Sequence, residues 1–169
     1  MDIAQLTTQS TLPAYIELFD IDCTAIAGMG NIYRYTPNVN GNTSVLFGGD
    51  TYLPFPIEIS DISASADGAP ARPTLAISNV NKLFGRLSFS FKDIIGAKVT
   101  YYRTFAVYLG QATKISAAPM KYTIARKTSH NMSSLSFELR SPLDSDRGML
   151  PKRQMLKRDF PGLGINKVM

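Results

Sequence analysis

Hydrophobic residues along this chain fall into short runs that are separated by glycine, proline and asparagine. Two apolar arms flank Gly48-Gly49-Asp50, and this arrangement predicts a β-hairpin, because glycine adopts the positive φ of tight hairpin turns. Pro54 and Pro56 follow directly. Since each proline fixes φ and removes a backbone donor, we expect this segment to be extended and to lie at a sheet edge or cross between sheets. We expect Phe55, which is held between the two prolines, to be buried.

Most other apolar runs are rich in aromatic and β-branched residues, which favours strands over helices. Beyond the hairpin, strands are predicted within residues 14–26, 32–35, 74–79, 98–109, 121–126 and 134–139, with a turn at 127–133. Residues 81–95 differ, because their apolar positions have the spacing of a helix that ends at Gly96. Those positions are 84, 87, 91, 94 and 95.

The chain has 169 residues, enough for one substantial hydrophobic core and few for two. We expect a polar N-terminal arm at residues 1–13 and a β domain at residues 14–147. A C-terminal arm should follow at residues 148–169, where proline and glycine interrupt regular structure and basic side chains are dense. The expected fold class is mainly β, a barrel or sandwich with one short helix and extended N- and C-terminal arms.

Charge is distributed unevenly along the sequence. Residues 1–80 contain two basic and eight acidic side chains, whereas residues 81–169 contain sixteen basic and five acidic ones. If these halves occupy different faces, head-to-tail assembly of copies follows, and nucleic acid is the other partner that the basic half could bind. No apolar run approaches the roughly 20 residues that span a membrane, and no secretory signal is visible at the N-terminus, so we expect no membrane partner.

Candidate catalytic and metal-binding residues are sparse. The single histidine, His130, lies in a polar stretch and is expected at the surface. The single cysteine, Cys23, excludes an internal disulfide and a four-thiolate metal site, and we expect it to be buried in a strand. Asp20 and Asp22 share one strand face, but no oxygen-rich loop accompanies them, so solvated carboxylates are the favoured interpretation. We therefore expect no enzymatic activity, no metal and no cofactor.

Basic residues in the C-terminal arm offer two interpretations. They could neutralise phosphates, which would make the chain a nucleic-acid-binding module. A charged arm that contacts an acidic protein neighbour or is simply solvated is favoured, because the arm lacks the interleaved aromatic residues of single-strand binders. The candidate protein-interface residues are accordingly Pro54, Phe55, Pro56, Lys152, Arg153, Lys157 and Arg158.

Several segments together resemble the phage minor tail protein L family of lambda-like long, non-contractile tails. The resemblance runs in order through residues 16–22, 47–57, 71–79, 95–99, 137–144 and 150–153. Their order and spacing over about residues 14–155 match the N-terminal domain of that family.

The resemblance implies a structural role in the virion tail tip, with assembly in the host cytoplasm. Members of the family would join the distal ring of the tail tube to the central hub, in a symmetric ring that we expect to be a trimer. The implied partners are the distal tail ring protein, the central hub protein and the tape-measure protein, with no membrane and no specific nucleic acid. Lambda-like members also have a cysteine-bearing region associated with an iron–sulfur cluster. This sequence has no counterpart of those cysteines, so we do not expect the cluster here.

Overall fold

The structure is a computed structural model that describes residues 14–37, 43–60, 62, 72–144 and 156. The predicted arms at residues 1–13 and 148–169 lie outside the described residues, except for Leu156. None of the helices in the described ranges has the length and apolar content needed to cross a membrane.

The described part of the chain is mainly β, as the sequence predicted, and its nine strands form one mixed sheet. The strands are β1 Tyr15–Asp22, β2 Ile32–Thr36, β3 Val45–Phe47, β4 Asp50–Pro54, β5 Ile57–Ser60, β6 Thr74–Ser78, β7 Lys98–Phe105, β8 Met120–His130 and β9 Ser134–Arg140. One helix, α1 (Leu83–Ser90), follows β6. The sheet order is β3-β4-β2-β1-β7-β8-β9-β6-β5, and all neighbours pair antiparallel except β2 and β4.

The Pro54–Pro56 segment takes the chain from one end of this sheet order to the other. The N–H of Phe55 donates to the carbonyl of Thr36 in β2 at 3.0 Å, and the carbonyl of Pro56 accepts from the N–H of Ser78 in β6 at 2.9 Å. Consecutive residues thus contact strands near opposite ends of the order, so the sheet curls until β2 and β6 are neighbours. Of the two predicted placements the segment takes the crossing, but it crosses within one sheet, which no strand ladder closes in the part of the chain that the structure describes.

β1 is covered on both faces, because alternate side chains of a strand point to opposite sides of the sheet. Phe19 and Ile21 enter the main core, which also holds residues from β2, β5, β6, α1, β7, β8 and β9. Ile16 and Leu18 point the other way and join a second, smaller core with Phe47 and Tyr52 of the β3–β4 hairpin. The hairpin itself turns at Gly48 and Gly49, whose φ angles of 59° and 81° are both positive, as predicted.

The side chain of Phe55 lies in an aromatic cluster at the heart of the main core. Its ring centroid is 4.7 Å from that of Tyr35 and 5.8 Å from that of Phe84 in α1. Only 7% of Phe55 is exposed, so its predicted burial is confirmed. Cys23 is also fully buried, as predicted, although it follows the last residue of β1 and does not lie in a strand.

The predicted helix over residues 81–95 was too long. α1 ends at Ser90, and the chain continues through a 3₁₀ turn, Lys92–Ile94, whose residues all have positive φ. Ile94 reaches the main core from this turn and not from the helix. Position 94 fits the helical spacing because the tight turn buries its side chain, as a further turn of the helix would also have done.

Two other boundaries differ from the sequence-based prediction. β7 ends at Phe105, because residues 106–108 form a 3₁₀ turn in which Ala106 donates to the carbonyl of Ala14. β8 continues to His130, so the predicted turn at 127–133 is reduced to 131–133. Pairing with β9 satisfies the backbone of this polar stretch, and two register shifts accommodate it.

Truncating Phe55 should destabilise the fold, because it leaves a cavity between Tyr35 and Phe84. We expect Phe55→Ala to lower the free energy of unfolding by about 3–5 kcal/mol in urea titrations. Leu53→Ala is the matched control, since Leu53 is 53% exposed and only two residues away. Equal unfolding midpoints for Phe55→Ala and the wild-type chain would contradict a role for this ring in the core.

Candidate functional site

The interface residues predicted from the sequence are only partly placed by the structure. Pro56 is exposed and Pro54 half-buried, whereas the ring of Phe55 points into the core. The four basic candidates lie outside the described residues; they are Lys152, Arg153, Lys157 and Arg158. Any contact made by the Pro54–Pro56 segment would therefore use the two prolines and not the ring between them, and its interface role stays a prediction.

The candidate chemical groups are dispersed. His130 is exposed at the end of β8, and burial raises the pKa of the Cys23 thiol to about 11, so that the thiol is neutral at pH 7. Asp22 accepts hydrogen bonds from the backbone N–H and the hydroxyl of Thr24, which lower its pKa. Among the described residues no group of three or more His, Cys, Asp or Glu side chains could hold a metal ion.

Asp20, interpreted from the sequence as a solvated carboxylate, instead belongs to a balanced cluster of four charges. Lys114 Nζ lies 2.7 Å from Asp50 Oδ2 and 3.6 Å from Asp20 Oδ2. Arg34 Nη2 lies 3.2 Å from Asp50 Oδ1, and Arg34 Nε lies 3.8 Å from Asp20 Oδ1. Since Lys114 belongs to the long loop before β8, no local pattern links it to these partners. The cluster fastens this loop and the β3–β4 hairpin to β1 and β2.

The side chain of Lys114 passes directly over the hairpin turn. A Cβ atom at Gly48 would lie 2.0 Å from Lys114 Cγ, whereas one at Gly49 would meet nothing within 4 Å. The backbone of the same loop covers the outer edge of β3, because Gly110 donates to Leu46 and Gly48 donates to Gln111. Gly48 is therefore required both for the turn and for the close approach of Lys114.

A second polar group, Ser88, Asp93 and Lys127, has the residue types of a serine–lysine nucleophile. Lys127 Nζ is 3.1 Å from Ser88 Oγ and also contacts Asp93. The Ser88 hydroxyl, however, is 1% exposed and donates to Asp93 Oδ1 at 2.7 Å, so a substrate cannot reach it. The hydrogen bond from Lys127 is the main cause that lowers the pKa of Asp93, and the hydrogen bond from Ser88 is the second. These contacts tie the end of α1 to β8 and are structural.

The most exposed large apolar side chains lie on either side of a groove between α1 and the β8–β9 turn. Phe89 is 92% exposed and Met132 is 95% exposed. The groove has a volume of about 510 Å³. We call it the Phe89–Met132 groove, and its lining residues are Asn79, Lys82, Gly85, Arg86, Phe89, Ser90, His130, Asn131 and Met132.

Asn79 holds the two walls of the groove together. Its buried side chain donates to the carbonyl of Asn131 at 3.0 Å and accepts from the N–H of Gly85 at 3.2 Å. Its backbone N–H donates to the carbonyl of Ser133. A Cβ atom at Gly85 would lie 2.7 Å from Asn79 Oδ1, which explains a glycine inside a helix. The groove is therefore a defined part of the fold.

The sequence prediction missed this surface, although one signal was present. Phe89 does not share the helical spacing of the apolar positions 84, 87 and 91, so it does not lie on the face of the helix that enters the core. Lys82, Arg86 and His130 line the groove, and no carboxylate does. The surface is consequently apolar and basic, which suits an acidic protein partner.

The described residues form a curled β domain whose most exposed apolar side chains border a basic groove, a construction suited to contact with other proteins. A family model described as "Phage minor tail protein L" matches residues 24–161. The chain therefore belongs to the phage minor tail protein L family, as the sequence resemblance indicated, and is a structural phage tail protein. It is 27% identical over 168 residues to Tail tip protein L of Escherichia phage lambda, across 92% of this chain and 72% of that protein.

Substituting the two hairpin glycines should separate backbone strain from the contact with Lys114. An alanine at either position must adopt the positive φ of the glycine, which destabilises the fold by about 1–2 kcal/mol. Gly48→Ala should cost clearly more than Gly49→Ala in urea unfolding, because only its methyl group overlaps Lys114. In a Lys114→Ala background the two costs should become equal. Equal costs with Lys114 in place would contradict the close approach.

Acid should weaken the four-charge cluster. The hydrogen bond from Lys114 holds the pKa of Asp50 below its usual 3.8, so the pair stabilises the fold above that value and loses its contribution as the pH falls through the folded-state pKa. We expect the melting temperature of the wild-type chain to fall more steeply below about pH 4 than that of Lys114→Met. Lys121→Met is the control for net charge, since Lys121 is exposed. Parallel acid profiles for wild type and Lys114→Met would rule out this contribution.

Proposed function

We propose that this chain is a structural subunit of the virion tail tip, joining the distal ring of the tail tube to the central hub through protein–protein contacts in a trimeric ring. The observation that carries the proposal is the exposure of Phe89 and Met132 beside one groove, in a chain that belongs to a tail protein family. Aromatic residues and methionine are enriched at protein interfaces, and clustered exposed apolar side chains mark interaction sites.

The proposed partners are the distal tail ring protein, the central hub protein and the tape-measure protein, and assembly takes place in the host cytoplasm. Support comes from family membership and from the name of the lambda relative, which is a tail tip protein. The basic arm at residues 148–169 and the two prolines at positions 54 and 56 are the further contact surfaces that we propose.

Nucleic acid binding is the second candidate function. Phe89 is exposed and lines the same groove as Lys82 and Arg86, and an aromatic face near cations can stack a base and hold phosphates. The basic residues of the C-terminal segment would extend such a surface. Binding of this kind weakens steeply with salt, so titration with single-stranded DNA at low and high salt distinguishes it from protein assembly.

Removing the C-terminal arm tests the proposed structural role. We expect deletion of residues 148–169 to change the melting temperature by only a few degrees, because proline, glycine and dense basic charge favour an arm that becomes ordered only against a partner. The same deletion should abolish incorporation into tails, measured by complementing cells that produce phage without this chain. Infectious particles containing the truncated chain would show that the arm has no role in assembly.

A further inference from the structure

We propose that the Phe89–Met132 groove binds the acidic segment at residues 58–67 of a second copy of this chain, so that copies associate head to tail. This inference deepens the proposed function and rests on it, since it names one partner of the groove. It goes beyond the ring itself by assigning both contacting surfaces.

The groove requires an acidic partner. Its walls present Lys82 and Arg86 as permanent cations, with His130 beside them and no carboxylate among the lining residues. The other charge in this region, Lys127, already contacts Asp93. A partner that brings carboxylates is attracted to such a surface, whereas a basic one is repelled. Phe89 and Met132 add the large apolar contacts that dominate binding energy at interfaces.

Most carboxylates of this chain are already engaged within the copy that carries them. The engaged residues are Glu17 with Tyr101, Asp20 and Asp50 with Lys114, Asp22 with Thr24, Asp93 with Lys127, Glu138 with Arg126, and Asp144 with Arg72. Glu58, on the outer strand β5, is exposed and has no ion-pair partner among the described residues. The unpaired negative charge of residues 1–80 is therefore smaller in the folded chain than the composition suggests.

Glu58 begins the one acidic stretch that is left. Asp61 and Asp67 follow it, both outside the described residues, and no lysine or arginine occurs before Arg72. Residues 58–67 therefore carry three negative charges and no positive ones. This matches a groove that carries cations and no carboxylate.

The described start of the acidic segment and the groove both adjoin β6. Ser60, the last residue of β5, pairs with Thr74 at the start of β6. Asn79, which follows the end of β6, begins the groove. The five residues of β6 separate these points by about 16 Å. Two different surfaces that are complementary to each other produce head-to-tail contacts between copies, which close into a ring when the rotation allows.

The test uses two complementary variants of the full chain and sedimentation velocity at rising protein concentration. Phe89→Ser combined with Arg86→Gln damages the groove, and Asp61→Asn combined with Asp67→Asn damages the acidic segment. Each variant alone should self-associate at least about tenfold more weakly than the wild type. A mixture of the two should form a heterodimer and stop, because one intact groove and one intact acidic segment remain. Val107→Ser is the control, since Val107 is exposed and does not line the groove.

Melting temperatures close to that of the wild type would show that both variants are folded. A wild-type chain that stays monomeric at all concentrations, or a mixture that does not dimerise, would overturn the inference. Tail incorporation separates this failure from that of the proposed function. If the wild type is monomeric and the groove variant is still excluded from tails, the groove binds a different tail protein and the proposed function stands. If the wild-type chain itself is absent from purified tails, the proposed function fails.

Discussion

The short passage from β4 to β5 constrains the rest of this fold. Two prolines fix the backbone on either side of Phe55, while the backbone of residues 55 and 56 bonds to Thr36 in β2 and Ser78 in β6. These two hydrogen bonds hold strands from opposite ends of the sheet order together. The curled sheet then encloses the core that receives the ring of Phe55, and α1 completes this core with Phe84. Rigidity of the crossing segment therefore sets the curvature on which core packing depends.

Charged residues are used in two ways in this molecule. Within the sheet, ion pairs join segments that are distant in the sequence, as when Lys114 reaches Asp20 and Asp50 across the β3–β4 hairpin. Partly exposed ion pairs add little stability singly, but four balanced charges around Gly48 specify where the loop must lie. At the groove, by contrast, Lys82 and Arg86 lie beside apolar side chains with no carboxylate lining the same surface. Because most carboxylates near the sheet are paired and none lines the groove, the described part of the molecule presents a basic, apolar surface at the groove.

The groove connects the fold to the role that family membership assigns to the chain. Asn79 links α1 to the β8–β9 turn and so fixes the separation of Phe89 and Met132. A docking surface on a rigid frame loses little conformational entropy when a partner binds, which favours a stable assembly. A structural tail protein needs contacts of this kind, and it needs no convergent catalytic groups.

Sequence patterns were enough to predict the strand-rich class, the Gly48–Gly49 hairpin, an edge or crossing position for the two prolines and the burial of Phe55 and Cys23. Each of these follows from local chemistry, since glycine, proline and alternating apolar residues restrict the backbone within a few positions. The order of the family motifs likewise indicated the tail protein family before any contact was known.

Only the tertiary structure decided that Lys114 lies over Gly48, that β8 continues through a polar stretch to His130, and that Phe89 and Met132 flank one groove. Lys114 and Asp20 are joined by packing across the sheet, and β8 is extended by its pairing with β9. A groove exists only where separate elements meet, in this case α1 and the β8–β9 turn. No local pattern specifies such contacts, because they depend on how distant segments are brought together by the curl of the whole sheet.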